Sequence, residues 1–412
     1  YKTPLCQWKC TMIHGLYCGY TAGLDVTGKA IGLPQDKRKL ATGKALIRYF
    51  CVPCKPTKNN GHRTWNLPKH APEKWELFKE YCKQDVVTES AILRRLDAFP
   101  VPEEEETLWQ MDIRMNAFGV KVDTALISGA LQINDHSTEL LENEARKITG
   151  LQNPNSSVQL LDWIHNNGVK MDNLQKATVM EKLSDDLPDD VRRALEIRQQ
   201  LGKTSIKKYV AMDTAKGKDN RVRGLTQYYG ANRTGRWAGR LVQMQNLPRN
   251  YIKTLDYARK LVKDRNYGGI KLLYGNVPDT LSQLIRTAFI PSEGNKFVVA
   301  DFSAIEARVI AWLAGETWVN EVFATHGKIY EATASQMFHV PIEKIAKGNP
   351  EYALRQKGKV ATLALGYQGG ANALIAMGAL NMGLSEEELP DIVHRWRNAN
   401  PRIRDLWYAV EE

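Results

Sequence analysis

Four groups of side chains in this sequence have types and spacings that could do chemistry. An apolar run, Phe297-Val-Val-Ala, ends in Asp301, and Ser303, Glu306 and Arg308 follow at once. A carboxylate at a strand end suits Mg²⁺, which takes few protein oxygens and shares the rest with phosphate and water. The blander alternative is that Asp301 only terminates the strand and that Glu306 pairs with Ser303 in a capping box. Downstream, Arg355 and Lys359 stand at i,i+4 spacing, Leu363 continues the same face, and Tyr367 lies beyond. Two cations on one helical face can clamp a triphosphate, Arg as a planar fork and Lys as a point charge; a solvated basic face is the other reading. From Thr234-Gly-Arg236 to Arg249, the groups Arg236, Gln243, Gln245 and Asn246 are interleaved with Gly and Pro. Such groups can read the minor groove, where acceptor positions are common to all base pairs, or can form a polar surface turn. Last, Tyr81 and Asp85 share a helix face and could together orient a water and a metal.

These groups need elements to hold them. Trp75, Phe78, Cys82 and Val86 recur at helical spacing and predict a helix from about Pro72 to Leu96;. The segment from Lys55 to His70 is basic, rich in Asn, Gly and Pro, and reads as an exposed loop;. Phe99-Pro-Val-Pro is a linker into a new helix whose first-turn glutamates, Glu103 to Glu106, suit a positive helix N-terminus;. Residues 124–209 read as helices broken near Gly150–Ser157 and at Gly168, and Arg221 to Tyr229 alternates as a strand. Lys296 to Ala300 reads as a short buried strand, and the helix after it has a natural stop at Gly315;. Helices with Gly, Asn and Pro breaks fill the rest, so the fold class is α+β with a helical excess.

Composition narrows the function. With 412 residues the prior is two to four domains;. Lys and Arg number 57 against 46 Asp and Glu, a net charge of +11 that suggests a polyanionic partner;. No run nears the roughly 18 apolar residues of a membrane span. Six cysteines are too few for a disulfide scaffold and fit a reducing cytosol;. Cys6, Cys10, Cys51 and Cys54 could nominally form a Cys₄ zinc site, but reduced thiols are the favoured reading.

The segment Asp301-Phe-Ser-Ala-Ile-Glu306-Ala-Arg resembles the first palm motif of family A (polymerase I-like) DNA polymerases, Asp-Tyr-Ser-Gln-Ile-Glu-Leu-Arg. The resemblance implies that Asp301 binds both catalytic Mg²⁺ ions and that the Phe302 carbonyl binds one of them. It also implies that Glu306 lies under the sugar and excludes a 2′-hydroxyl. Ala304 stands where the family has Gln. The string from Arg355 to Gly370 resembles the family's fingers helix. Arg355 and Lys359 would bind the incoming triphosphate, with Lys359 joining Asp301 in catalysis, and Tyr367 would stack near the templating base. Leu363 replaces the usual Phe or Tyr against the sugar, as in a phage-type subgroup, and Gln368 replaces Gly. Gly327-Lys-Ile-Tyr330-Glu-Ala-Thr-Ala resembles Asp-Ile-His-x-x-Thr-Ala, so Tyr330 could contact phosphate or be an ordinary half-buried tyrosine.

The stretch from Thr234 to Pro248 resembles the family's Thr-Gly-Arg…Asn-Leu-Gln-Asn-Ile-Pro. By that likeness Arg236, Gln245 and Asn246 contact primer–template, and Gln243 stands at a family Asn position. The segments at Asn153–Ser157 and Leu201–Ser205 resemble thumb elements, implying duplex contacts for Asn153, Lys203 and Ser205. Tyr81-Cys-Lys-Gln-Asp85 resembles the last proofreading-exonuclease motif, with Asp85 a surviving metal ligand.

The resemblance implies a right-hand polymerase preceded by the rear of an RNase H-like 3′–5′ exonuclease domain. The expected divisions are exonuclease remnant 1–99, linker and palm start 100–124, thumb 125–210, palm 211–316 and fingers 317–412. No Asp-x-Glu occurs in residues 1–80, and none of the eight histidines is followed by Asp. With Tyr1 in place of Met, this reads as a fragment truncated at both ends and inactive by itself. The implied function is template-directed DNA synthesis on primer–template DNA with deoxynucleoside triphosphates and two Mg²⁺ ions, in the cytoplasm of a bacterial host if phage-encoded. Alternatives are a non-catalytic duplex-binding module or a single-subunit RNA polymerase; Glu306 argues against the latter, since ribonucleotide use needs a small residue there.

Overall fold

The computed structural model describes residues 3–21 and 23–412, and the chain divides into two units, Tyr1–Lys296 and Phe297–Glu412. The boundary falls inside the stretch expected as palm.

In the first unit, α1 (Thr11–Tyr17), α2 (Leu24–Ala30) and α3 (Gly43–Cys51) pack along α4 (Pro72–Leu96). The α4 bounds match the expectation, and Pro72 sits at the first helical position, where its missing N–H costs nothing;. The buried face differs from the expected stripe. Trp75 and Phe78 do pack against Phe50, but Cys82 and Val86 are exposed, and Tyr81, Thr88, Ile92 and Leu96 carry the burial. The helix is thus turned by roughly a quarter turn from the sequence reading, because α1, α2 and α3 gather on one side of it. All six cysteines are free thiols. The segment between Val52 and Ala71 is mostly exposed loop, as expected.

Helix α5 (Glu103–Phe118) begins at its glutamates and leads through β1 (Val120–Lys121) to α6 (Thr124–Thr149). The Asp123 side chain caps α6 by accepting from the Leu126 N–H at 3.1 Å, and Gly150 ends it at φ 68°;. Helices α7 (Ser157–Asn166), α8 (Lys176–Lys182) and α9 (Asp189–Leu201) form a satellite core of Leu160, Ile164, Val191 and Leu195. After α10 (Lys207–Ala215), β2 (Arg221–Val222) pairs antiparallel with β1, Val222 opposite Val120. The strand expected over Arg221 to Tyr229 is therefore broken: Gly224 turns the chain at φ 68°, and β3 (Thr226–Ala231) starts a separate hairpin with β4 (Arg236–Gly239). Helices α11 (Leu255–Lys263), α12 (Tyr267–Tyr274) and α13 (Val277–Leu284) complete the main core, which joins Leu126, Ile127 and Ile133 to Val262, Ile270 and Leu284.

The second unit is helical: α14 (Ile305–Ala314), α15 (Thr317–Thr325), α16 (Ile329–Phe338), α17 (Leu354–Leu365), α18 (Ala371–Ala376), α19 (Leu389–Ala399) and α20 (Pro401–Glu411). Its core joins Val360 and Leu365 to Leu389, Ile392, Trp396 and Trp407, the two indoles stacked with centroids 5.8 Å apart. Two expectations fail here. Residues 296–300 form no strand, and Val298 and Val299 are 85% and 90% exposed. A buried strand needs a ladder neighbour for its N–H and C=O groups, and none of the described residues pairs with this run. Ser303 and Glu306 form no capping box either: α14 starts one residue later than that box requires, with Ala304 as N-cap at φ 49° and no side-chain cap bond. The stop at Gly315 is as expected, at φ 67°.

Candidate functional site

In the first unit, the β3–β4 hairpin presents Arg236, paired opposite Ala231 and exposed. Asp112 of α5 holds the hairpin. Its buried carboxylate accepts from Thr226 Oγ1 at 2.6 Å, Trp237 Nε1 at 2.9 Å and the Tyr228 N–H at 3.1 Å. Beyond β4 the chain is pinned by buried Val242 and Leu247, which leaves Gln243, Gln245 and Asn246 between them on the surface. Gly239 permits that return, since a Cβ there would lie 2.9 Å from the backbone Cα of Gln243. Buried apolar anchors with exposed amides between them give a rigid display of polar groups.

Past this loop, a cleft of about 760 Å³ is lined by Lys203, Ser205, Lys176, Arg198, Arg249 and Tyr251. Lys203 and Ser205 were expected here; Arg198, Arg249 and Tyr251 were not singled out, although a basic helix end and an Arg after Pro248 are visible signals. Arg236, Gln243, Gln245 and Asn246 do not line this cleft. Asn153 stands apart from it too: its Oδ1 accepts the Asn155 N–H at 3.1 Å in a turn, and Asn155 lines the adjoining hollow with Lys203 and Ser205. Lys203 is ion-paired to Asp279, whose other oxygen accepts from Gln283 Nε2 at 2.7 Å. Burial pushes the Asp279 carboxyl up, but the Lys203 and Gln283 hydrogen bonds outweigh it and hold the group below its usual range;.

On α4, Tyr81 is buried and Asp85 Oδ2 meets Lys39 Nζ at 3.0 Å, with the ammonium 4.9 Å from the Tyr81 ring centroid. Asp85 Oδ1 is buried without a hydrogen-bond partner among the described residues. Phenol and carboxylate do share a face, but Lys39 already compensates the charge, so a cation at Asp85 would first have to displace it. No group of three or more His, Cys, Asp or Glu side chains suited to a metal occurs among the described residues, the four cysteines of the nominal zinc set included.

In the second unit, a cleft of about 270 Å³ brings together Asp301, Phe302 and Glu306 from one segment and Leu363 and Tyr367 from another. Thr333, Thr362 and Asn400 add polar groups to its lining that sequence reasoning did not select. Leu363 and Tyr367 are 43% and 65% exposed. Arg355, Lys359 and Tyr330 lie outside this lining. Lys359 stands one turn before Leu363 on α17, and Arg355 one turn earlier. Arg355 Nε donates to Glu331 Oε1 at 2.7 Å, and its guanidinium lies 5.4 Å from the Tyr330 ring centroid. Tyr330 is half-buried. The arrangement offers a carboxylate at the mouth of an apolar-floored cleft, with cations on the helix that forms one wall.

A model of DNA polymerase family A matches residues 129–412. The chain is 58% identical to the DNA polymerase of Bacillus phage SP02 over 405 residues, 98% of this chain and 62% of that relative. DNA polymerase I of Borreliella burgdorferi is 23% identical over 298 residues, 71% of this chain and 29% of the relative. The thermostable DNA polymerase I of Thermus aquaticus is 32% identical over 131 residues, 31% of this chain and 15% of the relative. Among solved structures, the POL domain of Pol1 from M. smegmatis, in complex with DNA primer-template and dNTP, aligns with a TM-score of 0.50 at 18% identity, over 93% of this chain and 60% of that one. The chain therefore spans about three fifths of the length of the phage relative and of the solved chain.

Proposed function

The chain belongs to DNA polymerase family A, and from that premise we propose that it serves template-directed DNA synthesis, adding deoxynucleotides to a primer 3′-hydroxyl. The observation that carries this reading is the cleft where Asp301, Phe302 and Glu306 meet Leu363 and Tyr367, segments some sixty residues apart in sequence. Arg355 and Lys359 hold the triphosphate through charge-assisted hydrogen bonds. Glu306 fills the space a 2′-hydroxyl would need, Leu363 bounds the sugar, and Tyr367 offers a ring to the templating base. Tyr330 supports the Arg355 guanidinium from its ring face. Family A DNA polymerases generally use divalent metal ions. In this chain the Asp301 carboxylate, exposed at the cleft, and the Phe302 carbonyl have the oxygen donors to hold Mg²⁺;. Two such ions would neutralise charge developing on the transferred phosphoryl group.

The first unit grips primer–template duplex. Lys203, Ser205, Arg198 and Arg249 meet phosphates in the larger cleft, and Arg236, Gln243, Gln245 and Asn246 probe the minor groove from the hairpin and loop. Asn153 acts through its turn, by placing Asn155. No step is assigned to Tyr81 and Asp85, which Lys39 occupies. Primer extension by the natural-length protein tests the reading: with Mg²⁺, the deoxynucleotide complementary to the template base is added and ribonucleotides are not. Incorporation indifferent to the template base, or duplex binding with no incorporation, would overturn it.

A further inference from the structure

We propose that Glu331 is a positioning residue that aims the Arg355 guanidinium so that its two terminal nitrogens face an incoming triphosphate. The proposal rests on the reading of Arg355 as a triphosphate ligand. It starts from which edge of the guanidinium is taken. Arg has five N–H donors in a fixed fork. Glu331 Oε1 accepts from Nε at 2.7 Å, and among the described residues Nη1 and Nη2 make no other hydrogen bond. A carboxylate meant to neutralise Arg355 for good would take the bidentate edge, the strongest geometry available. Glu331 takes a single donor and leaves the paired Nη edge open.

The surroundings fix this orientation. The guanidinium lies over the rings of Tyr330 and Tyr352, at 5.4 and 5.9 Å from their centroids. The Glu331 and Arg355 side chains are 16% and 30% exposed, so their pair is shielded more than an ordinary surface bridge;. The helices that carry them cannot slide easily. Thr362 Oγ1 on α17 bonds Thr333 Oγ1 on α16 at 3.1 Å, and the α17 backbone at Gly358 abuts the Tyr330 carbonyl. Supporting groups of this kind, which lock the rotamer of a binding side chain, decide whether a site is tight or loose. The opposing possibility is that Glu331 only repels an anion. The two differ in what a neutral acceptor does at this position.

The 412-residue chain is titrated with inorganic tripolyphosphate, without metal, by calorimetry, alongside Glu331→Ala, Glu331→Gln, Glu331→Asp and Arg355→Ala. Glu331→Ala removes the acceptor and is expected to weaken binding about tenfold, the value of one charged hydrogen bond. Glu331→Gln keeps an acceptor within reach of Nε and sheds the like charge, so it should bind at least as tightly as the natural chain. Glu331→Asp keeps the charge but draws the acceptor back, and should bind more weakly than Glu331→Gln even if the Ala variant fails to fold. Binding that tightens in both Ala and Gln variants makes Glu331 a competing anion and overturns the proposal. So does Asp binding as well as Gln, or an affinity unmoved by Glu331→Ala while Arg355→Ala abolishes it. An affinity unmoved by Arg355→Ala instead removes the triphosphate reading itself.

Discussion

The backbone of Gly358 passes so near Tyr330 that a Cβ at position 358 would lie 2.2 Å from the Tyr330 carbonyl oxygen, with Ala334 N at 2.9 Å on the same side. This contact draws α16 and α17 close enough for Glu331 to reach Arg355. Gly358→Ala should gain up to about 1 kcal/mol in helix propensity and lose more by forcing the helices apart, about 1–3 kcal/mol for overpacking. A net fall in melting temperature with weaker tripolyphosphate binding is expected. A variant more stable than the natural chain would show that the close approach does not hold.

The Lys203–Asp279 ion pair places a carboxylate inside a basic cleft. Duplex binding should be sequence-independent and fall steeply with salt as counterions are released. Lys203→Ala should lower the slope of log K against log salt by about one. Asp279→Asn frees Lys203 and should tighten binding at low salt. A salt-independent affinity would contradict the phosphate-contact assignment.

The same pair predicts a pH dependence. Asp279 has a carboxyl held below its unfolded value, so its contribution is present above the ordinary carboxylate range and is lost as pH falls through the folded pKa. With the Lys203 and Asp279 side chains 33% and 41% exposed, solvent screening limits the pair to below about 1 kcal/mol. The melting-temperature gap between the natural chain and Asp279→Asn should therefore be small at pH 7 and close toward pH 3. A gap that widens on acidification would reverse the assignment.

Glu306 lines the second-unit cleft without serving a Ser303 capping box. Glu306→Ala in the natural-length protein should raise ribonucleotide use relative to deoxyribonucleotide use, read as a ratio of kcat/KM values, whatever it does to melting. Leu363→Tyr should ease discrimination against 3′-deoxy analogues in the same assay. Ala304 sits at φ 49°, in the left-handed region; Ala304→Gly should stabilise by about 1 kcal/mol. An unchanged ribose ratio in Glu306→Ala would leave the residue no part in sugar selection.

Much of this was legible in the residues because local rules and tertiary packing agree. The α4 helix was readable end to end from Pro72 and its apolar spacing. Its buried face was not, since Tyr81 rather than Cys82 meets the ring of Phe50's cluster, and that choice belongs to the helices packed against it. The Arg221–Tyr229 strand was over-extended because alternation hid the turn at Gly224. The run Phe297-Val-Val-Ala has strand composition, yet strand formation depends on a neighbour that local sequence does not specify. Ser303 and Glu306 have capping-box spacing, but the helix starts after Ala304. On the site, Asp301, Glu306, Leu363 and Tyr367, chosen from spacing and resemblance, line one cleft. Glu331, Asp279 and Asp112 were not singled out, because each meets its partner far away in sequence.

The most direct test of the account is Asp301→Ala in the natural-length protein, measured by single-turnover primer extension with Mg²⁺ beside duplex binding at the same salt. Asp301 is assigned to the metal and not to DNA. Losing that charge stabilisation should cost several kcal/mol of barrier, so templated incorporation should fall at least a thousandfold, about 4 kcal/mol, while duplex affinity stays within about twofold. A mutant that keeps most of its turnover, or loses duplex binding in step with turnover, would contradict the assignment of Asp301 as the metal-holding carboxylate.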